Sequence, residues 1–247
     1  MISKRRKRTE EDFELITKSS PKSAMAESYR TLRTNLGFAS MDNPCRSILL
    51  SSCNPQDGKS TTISNLAVVM AQAGNKVIVV DCDLRKPVQH KIFQVENFQG
   101  FTNCIMQQLD VDEVAHKGLV DNLTVLTSGP IPPNPAEILN SNRTRTLWET
   151  LLERYDYVFI DAPPVLAVTD ATILSAQVDG VILIVRSNFT RIDLAREAKE
   201  QFAKANARLI GVVLNQVKMD ANDYYQYYYY YYSHDSAPNK TRRFSLF

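Results

Sequence analysis

Ser47-Ile48-Leu49-Leu50-Ser51 is a short apolar run, after which the chain passes through Ser52-Cys53-Asn54-Pro55-Gln56-Asp57-Gly58-Lys59-Ser60 into a helical pattern carried by Ile63, Leu66, Ala67 and Met70. A strand, a tight turn and a helix in that order point to a parallel sheet, because a helix has to carry the chain back before the next strand begins. The turn also points to a chemistry. Its backbone N–H groups lead into the positive end of the helix dipole, where a polyphosphate finds closely spaced donors. Lys59 adds a mobile cation, Gly58 allows close approach of the main chain, and the Ser60 hydroxyl suits the shell of a magnesium ion. The segment therefore implies Mg-ATP or Mg-GTP. Gly-Lys-Ser alone is unspecific, and Ser52 stands where the usual pattern has its first glycine.

Two acidic segments strengthen the reading. Lys76 to Val80 is a strand-like run leading into Asp81-Cys82-Asp83-Leu84-Arg85-Lys86-Pro87, and Tyr157 to Ile160 is another leading into Asp161-Ala162-Pro163-Pro164. In an open parallel sheet ligands gather outside the carboxyl ends of the strands, so Asp81, Asp83 and Asp161 should converge on the phosphate loop. One such aspartate is commonly a helix cap; three together point to a site.

Further strand-like runs at Leu123 to Leu126, Val181 to Val185 and Leu209 to Leu214 alternate with helical patterns near residues 23–38, 59–72, 143–154, 171–177 and 192–205. The runs are apolar without a period of two, as in strands covered on both faces. The expected fold is α/β: a P-loop three-layer arrangement whose mostly parallel central sheet has helices on both faces. Residues 1–21 read as a basic N-terminal tail, 22–217 as the folded domain and 218–247 as a flexible tyrosine-rich tail. In the first helix Met25, Tyr29, Leu32 and Leu36 form an apolar stripe, with Glu27, Arg30 and Arg33 as a charged row beside it.

With 247 residues, 44% of them apolar, the chain can bury a full core. It shows neither a bilayer-length apolar run nor a secretion signal, and is expected in the cytoplasm. The four cysteines lack C-x-x-C spacing and the three histidines are scattered, which argues against a zinc site or disulfide framework. Net charge is +2, but Lys4 to Arg8 supply five positive charges and the rest is slightly acidic, so no nucleic-acid surface is expected. That basic run can rest against anionic lipid as a helper rather than an anchor.

After Gln216 the composition changes abruptly. Tyr224, Tyr225, Tyr227, Tyr228, Tyr229, Tyr230, Tyr231 and Tyr232 place eight phenols in nine residues, with neither helical nor strand amphipathicity. Attached to an ATP site, such a segment is a set of phosphoryl acceptors able to reach a neighbouring active site.

Taken together, the Glu27-x-x-Arg30-x-x-Arg33 row, the loop ending Gly58-Lys59-Ser60, Val79-Val80-Asp81-Cys82-Asp83-Leu84-Arg85, Ile160-Asp161, Pro133-Asn134-Pro135-Ala136-Glu137 and the tyrosine cluster make the chain resemble the bacterial tyrosine kinases. The resemblance is to the cytoplasmic kinase subunits of Gram-positive capsule and exopolysaccharide assembly, and it runs from about Ser23 to the end. It implies a protein-tyrosine autokinase that phosphorylates the tails of neighbouring subunits in a ring built partly through Glu27, Arg30 and Arg33. It also implies a membrane adaptor of the polysaccharide co-polymerase type that recruits the chain to the membrane and activates it, a cognate tyrosine phosphatase, and further protein substrates. The family usually has Gly-Glu-Gly where Gln56-Asp57-Gly58 stands. The competing resemblance is to nucleotide-switched positioning and partitioning ATPases without kinase activity. Those place an additional lysine five residues before the conserved one, where this chain has Asn54.

The expected nucleotide contacts are Asp57, Gly58, Lys59, Ser60, Thr61 and Asn215, the last toward adenine or as a simple turn residue. Magnesium is expected on Ser60, Asp83 and Asp161. The catalytic set is Lys59, Asp81 and Asp83, with Asp81 placed first as acceptor of the tyrosine proton and exchangeable with Asp83; Arg85 is expected on a phosphate oxygen or a subunit contact. A free phenol titrates near about 10, so an acceptor for its proton assists transfer. Each phosphate added to the tail brings about −1.5 to −2 charges, which should loosen a ring by repulsion.

Overall fold

The computed structural model describes residues 15–218 except residue 42. The elements run α1 (Ile16–Ser19), α2 (Ala24–Ala39), β1 (Ser47–Ser52), α3 (Lys59–Gln72), β2 (Val77–Asp81), α4 (Gln89–Phe93), α5 (Phe101–Gln107), α6 (Val111–Val114), β3 (His116–Val120), β4 (Leu123–Leu126), α7 (Pro135–Leu139), α8 (Asn142–Arg154), β5 (Tyr157–Asp161), α9 (Asp170–Ser175), β6 (Gly180–Arg186), α10 (Ile192–Lys204) and β7 (Leu209–Asn215). The sheet order is β3-β4-β2-β5-β1-β6-β7, parallel throughout except for β3 against β4. The long elements follow the sequence pattern to within a residue or two. β3 does not, because His116-Lys117-Gly118-Leu119-Val120 has no apolar run and is a half-exposed edge.

Successive residues of the central strands serve opposite faces, and both faces are apolar. Leu49, Ile78, Val80, Val158 and Ile160 pack with Phe101, Trp148, Leu174 and Phe202, whereas Ile48, Leu50, Val77, Val79 and Phe159 pack with Ile63, Leu66 and Leu36. That two-sided covering accounts for the missing period of two. The register sets Asp81 beside Asp161 and Leu50 beside Asp161, so the carboxyl ends of β1, β2 and β5 open at one place.

Two expectations need correction. In α2, Tyr29, Leu32 and Leu36 turn inward as expected, but Met25 is 60% exposed and Ala26 is buried in its turn. The stripe therefore starts one residue later, with Ser23 capping the helix by accepting from the Ala26 N–H at 3.2 Å. The N-terminal tail does not extend to residue 21. Thr17 is fully buried on α3, where its backbone N–H and hydroxyl donate to Asn65 Oδ1 at 3.0 and 2.9 Å. The compact body ends at Gln216, one residue short of the expected boundary, and the eight tail tyrosines and Lys4 to Arg8 lie outside the described residues.

Thr17→Val removes one donor from Asn65 and is expected to lower stability by about 0.5–1.5 kcal/mol in urea denaturation. An unchanged midpoint would mean that this short helix contributes nothing to the body.

Candidate nucleotide and phosphoryl-transfer site

Lys59 opens α3, and its ammonium sits among oxygens. Nζ lies 3.0 Å from Asp83 Oδ2 and 3.1 Å from Asp161 Oδ1, and donates to Ser60 Oγ at 3.0 Å. All four residues are buried or nearly so. Burial pulls the ammonium pKa down, but the charges of Asp161 and Asp83 outweigh it and the net shift is upward, so Lys59 stays a cation. The strand-end acids thus converge on the phosphate loop.

The loop itself is tied in place by its own residues. Gly58 has φ +93°, and a Cβ there would stand 2.0 Å from Asn215 Nδ2. Gln56, where a glycine is usual, also takes a left-handed φ of 66° with its side chain exposed, so the backbone path survives the replacement. Ser52, in the place of the first glycine, closes its hydroxyl onto the Asn54 carbonyl at 2.8 Å. Asp57 is fully buried. It accepts from the Asn54 N–H at 2.9 Å and from the Thr190 hydroxyl at 3.1 Å, so its side chain shapes the loop from behind. Asn215 donates to the Asp57 carbonyl at 2.9 Å, so its amide nitrogen braces the loop.

A cavity of about 360 Å³ lies in front of the loop. Pro55, Gln56, Gly58, Lys59, Ser60 and Thr61 form one wall, Asp83, Arg85, Lys86 and Val88 a second, and Pro163, Pro164, Ala167 and Val168 a third. Ser51 donates to the Pro163 carbonyl at 2.7 Å and Arg85 forks onto buried Asp170 at 2.8 and 3.0 Å, so the second and third walls are joined. A second cavity, of about 410 Å³, opens by Ser47 and Asp179 at the amino end of β1, away from these acids.

The two acids of the second motif occupy different places. Asp83 lines the cavity, with its other oxygen accepting from the Lys86 N–H at 3.0 Å. Neither Asp81 nor Asp161 lines it; Asp161 lies just behind, against Lys59, and Asp81 is set deeper. The Asp81 carboxylate is fully buried and accepts from the N–H groups of Val88, Gln89 and Asp83 at 3.0, 2.9 and 3.2 Å. Asp81 therefore holds the turn into α4, and Asp83 is the one of the two that faces the cavity. Burial, then the charge of Asp161, push the Asp81 carboxyl up from 3.8 to about 8 against the Gln89 amide and Lys59.

Ser60, Asp83 and Asp161 offer hard oxygen donors around a single point. Among the described residues no three His, Cys, Asp or Glu side chains form a self-sufficient metal cage. Magnesium needs none, since it takes one or two carboxylates together with substrate phosphates and water. Four participants escaped the sequence reading. Gln89 and Ser64 touch the cluster, Asp170 holds Arg85, and Thr190 holds Asp57. No motif links them to the side chains they bond, which are 25 to 133 positions away.

Fold and site together define a P-loop nucleotide-binding protein, and a family model described as an AAA domain matches residues 46–205. The tyrosine-protein kinase YwqD of Bacillus subtilis is 43% identical over 211 residues, 85% of this chain and 89% of that protein. The solved chimerical protein CapA2B2 is 41% identical with a TM-score of 0.80, covering 83% of this chain and 90% of that one. The chain belongs to the bacterial tyrosine kinases and is a protein-tyrosine kinase. The septum site-determining protein MinD of Pyrococcus horikoshii, solved with Mg-ADP, is 19% identical with a TM-score of 0.60 over 72% of this chain and 73% of its own; it shares the fold alone. The positioning-ATPase alternative is accordingly not favoured.

Gly58→Ala is expected to weaken nucleotide binding at least about tenfold by equilibrium titration, because left-handed strain of about 1–3 kcal/mol adds to the overlap with Asn215. A second expectation concerns pH. The folded chain keeps on Asp81 a proton that the unfolded chain releases above 3.8, so the stability contributed there is full below 3.8 and is lost as pH rises through about 8. In a chelating buffer, wild type should lose stability relative to Asp81→Asn across that interval; parallel denaturation curves would count against it.

Proposed function

We propose that the chain transfers the γ-phosphoryl group of magnesium-bound ATP to the tyrosine run at 224–232 of another copy, and so controls capsular or exopolysaccharide synthesis and export. The observation that carries this is the convergence of Ser60, Asp83 and Asp161 within hydrogen-bonding reach of the Lys59 ammonium, beside the cavity that Lys59, Ser60 and Asp83 line. Phosphoryl transfer asks the protein for charge neutralisation and in-line placement rather than covalent help. Lys59 and the amides at the start of α3 hold the β- and γ-phosphates. Ser60 and Asp161, with Asp83 directly or through water, would hold Mg²⁺, which neutralises phosphate charge and orients the oxygens. Asp83 faces the acceptor, orients its phenol and takes its proton. Apolar Val88, Pro164, Ala167 and Val168 give an aromatic ring a dry wall to lie on.

Assembly is part of the proposal. Arg30 pairs with Glu27 at 2.7 Å and donates to the Pro21 carbonyl at 2.6 Å, while Arg33 donates to the Val69 carbonyl at 3.1 Å. The row is thus held in a defined shape on α2, all three residues partly exposed, as a contact in a ring would require. A membrane adaptor of the polysaccharide co-polymerase type would bring the chain to the inner face of the membrane. This suits a chain whose described residues include no helix long and apolar enough to cross one. A cognate tyrosine phosphatase and other protein substrates complete the reading.

Incubation with Mg-ATP and the adaptor's cytoplasmic segment, followed by phosphotyrosine mapping, tests it. Lys59→Met should lower the signal at least about a hundredfold. Changing the eight tail tyrosines to phenylalanine should remove the acceptors and leave ATP binding intact. Lys59→Met protein mixed with the active phenylalanine-tailed form should become phosphorylated on its own tail. Nucleotide hydrolysis without phosphotyrosine would overturn the proposal.

A further inference from the structure

One uncharged residue contacts the phosphate-loop helix and both strand-end acidic segments. Gln89, the first residue of α4, is fully buried. Its Nε2 donates to Asp161 Oδ2 at 2.7 Å and, more weakly, to the Ser60 carbonyl at 3.4 Å. Its Oε1 accepts from the Ser64 hydroxyl at 2.7 Å, a hydrogen that Ser64 shares with the Ser60 carbonyl, also at 2.7 Å. Its backbone N–H donates to Asp81 at 2.9 Å. The amide has one workable orientation, because a carboxylate oxygen only accepts and the flipped form would set Oε1 against it.

A carboxylate on a strand end can turn about its last bond and offer either oxygen. Here Gln89 engages Oδ2, which leaves Oδ1 accepting from the Lys59 ammonium, the same ammonium that donates to Ser60 Oγ. We propose that Gln89 is a positioning residue: it holds Asp161 so that one oxygen is presented at a fixed place to the metal that accompanies the nucleotide. An amide suits this task. It supports the ionised carboxylate without adding a positive charge that would oppose a cation, as a lysine or arginine would. A glutamate at 89 would face the Asp161 carboxylate at hydrogen-bond distance, and a methionine of similar size would leave Oδ2 buried without its donor. The inference rests on the reading of Asp161 as a magnesium ligand.

The test measures binding of a fluorescent ATP analogue to the full chain while Mg²⁺ is titrated, alongside thermal melting. In Gln89→Met, affinity for the metal-free analogue should stay within about twofold of wild type. The Mg²⁺ concentration for half-maximal tightening should rise about 10–100-fold, the range typical of lost outer-shell partners. Gln89→Glu should shift it further, and in kinetics the half-saturating Mg²⁺ should rise more than kcat falls. Asp161→Asn is the control. If it shifts the Mg²⁺ requirement and folded Gln89→Met does not, the role of Gln89 is overturned. If Asp161→Asn leaves the requirement unchanged, the magnesium reading of Asp161 fails instead. Should Gln89→Met not fold, Ser64→Ala, which withdraws the hydroxyl orienting the amide, is expected to shift the requirement in the same direction by a smaller factor, and no shift there would equally overturn the inference.

Discussion

The buried ammonium of Lys59 is the interaction on which the rest of the molecule turns. Taking a charge of that size out of water costs several kcal/mol unless partners surround it, and two carboxylates and a hydroxyl do so at close to 3 Å. The partners come from three separate stretches of chain, so the cluster is a condition on the whole sheet rather than on a loop. It also has an imbalance built in. Asp83 and Asp161 face a single lysine with Asp81 close behind them, and burial first, then the charge of Asp161, push the Asp81 carboxyl up. A site of this sign, with hard oxygen donors, suits a divalent cation, which in turn makes room for the phosphates of a nucleotide.

The sheet supplies the convergence with little freedom. β5 is the middle strand, with β1 and β2 on either side, and the pairing of Asp81 and Leu50 with Asp161 brings the three carboxyl ends to one place. Apolar side chains on both faces lock the register, since slipping one strand by a residue would exchange the sets that face α3 and α8. The walls of the cavity are joined by polar contacts, Ser51 to the Pro163 carbonyl and Arg85 to Asp170, and the loop is braced from behind by Asp57, Thr190 and Asn215. The residues nearest the chemistry are thus held by neighbours that do not themselves face the cavity.

How much of this was legible before folding differs from element to element. α3 was readable to the residue because a glycine turn and an apolar helical period bracket it, and β5 because four apolar residues lead into an acid. β3 was not readable, being a polar edge that exists only because β4 offers it hydrogen bonds. The lysine, the serine and the two acids facing the ammonium were readable as a group, since their spacing after strand ends places them at one rim. The parts of Asp81 and Asp83 were not separable, because two residues apart on a turning chain either can face the ligand. Asn215 was noticed for its place at a strand end, but its use as a brace depends on the close approach of Gly58. The tail tyrosines were legible by composition alone.

By itself the chain's order of residues determined the alternation of strands and helices, the phosphate loop, and which side chains bear charge at the rim. Those properties are local, set by periodicity, turn chemistry and residue type. Only the tertiary structure decided that Asp83 and not Asp81 meets the cavity, that Ala26 and not Met25 turns inward, and that Gln89 reaches Asp161 across 72 positions of sequence. Such choices depend on which buried donor lies opposite which acceptor once strands are paired, and hydrogen bonds between distant segments leave no period or spacing in the chain to read.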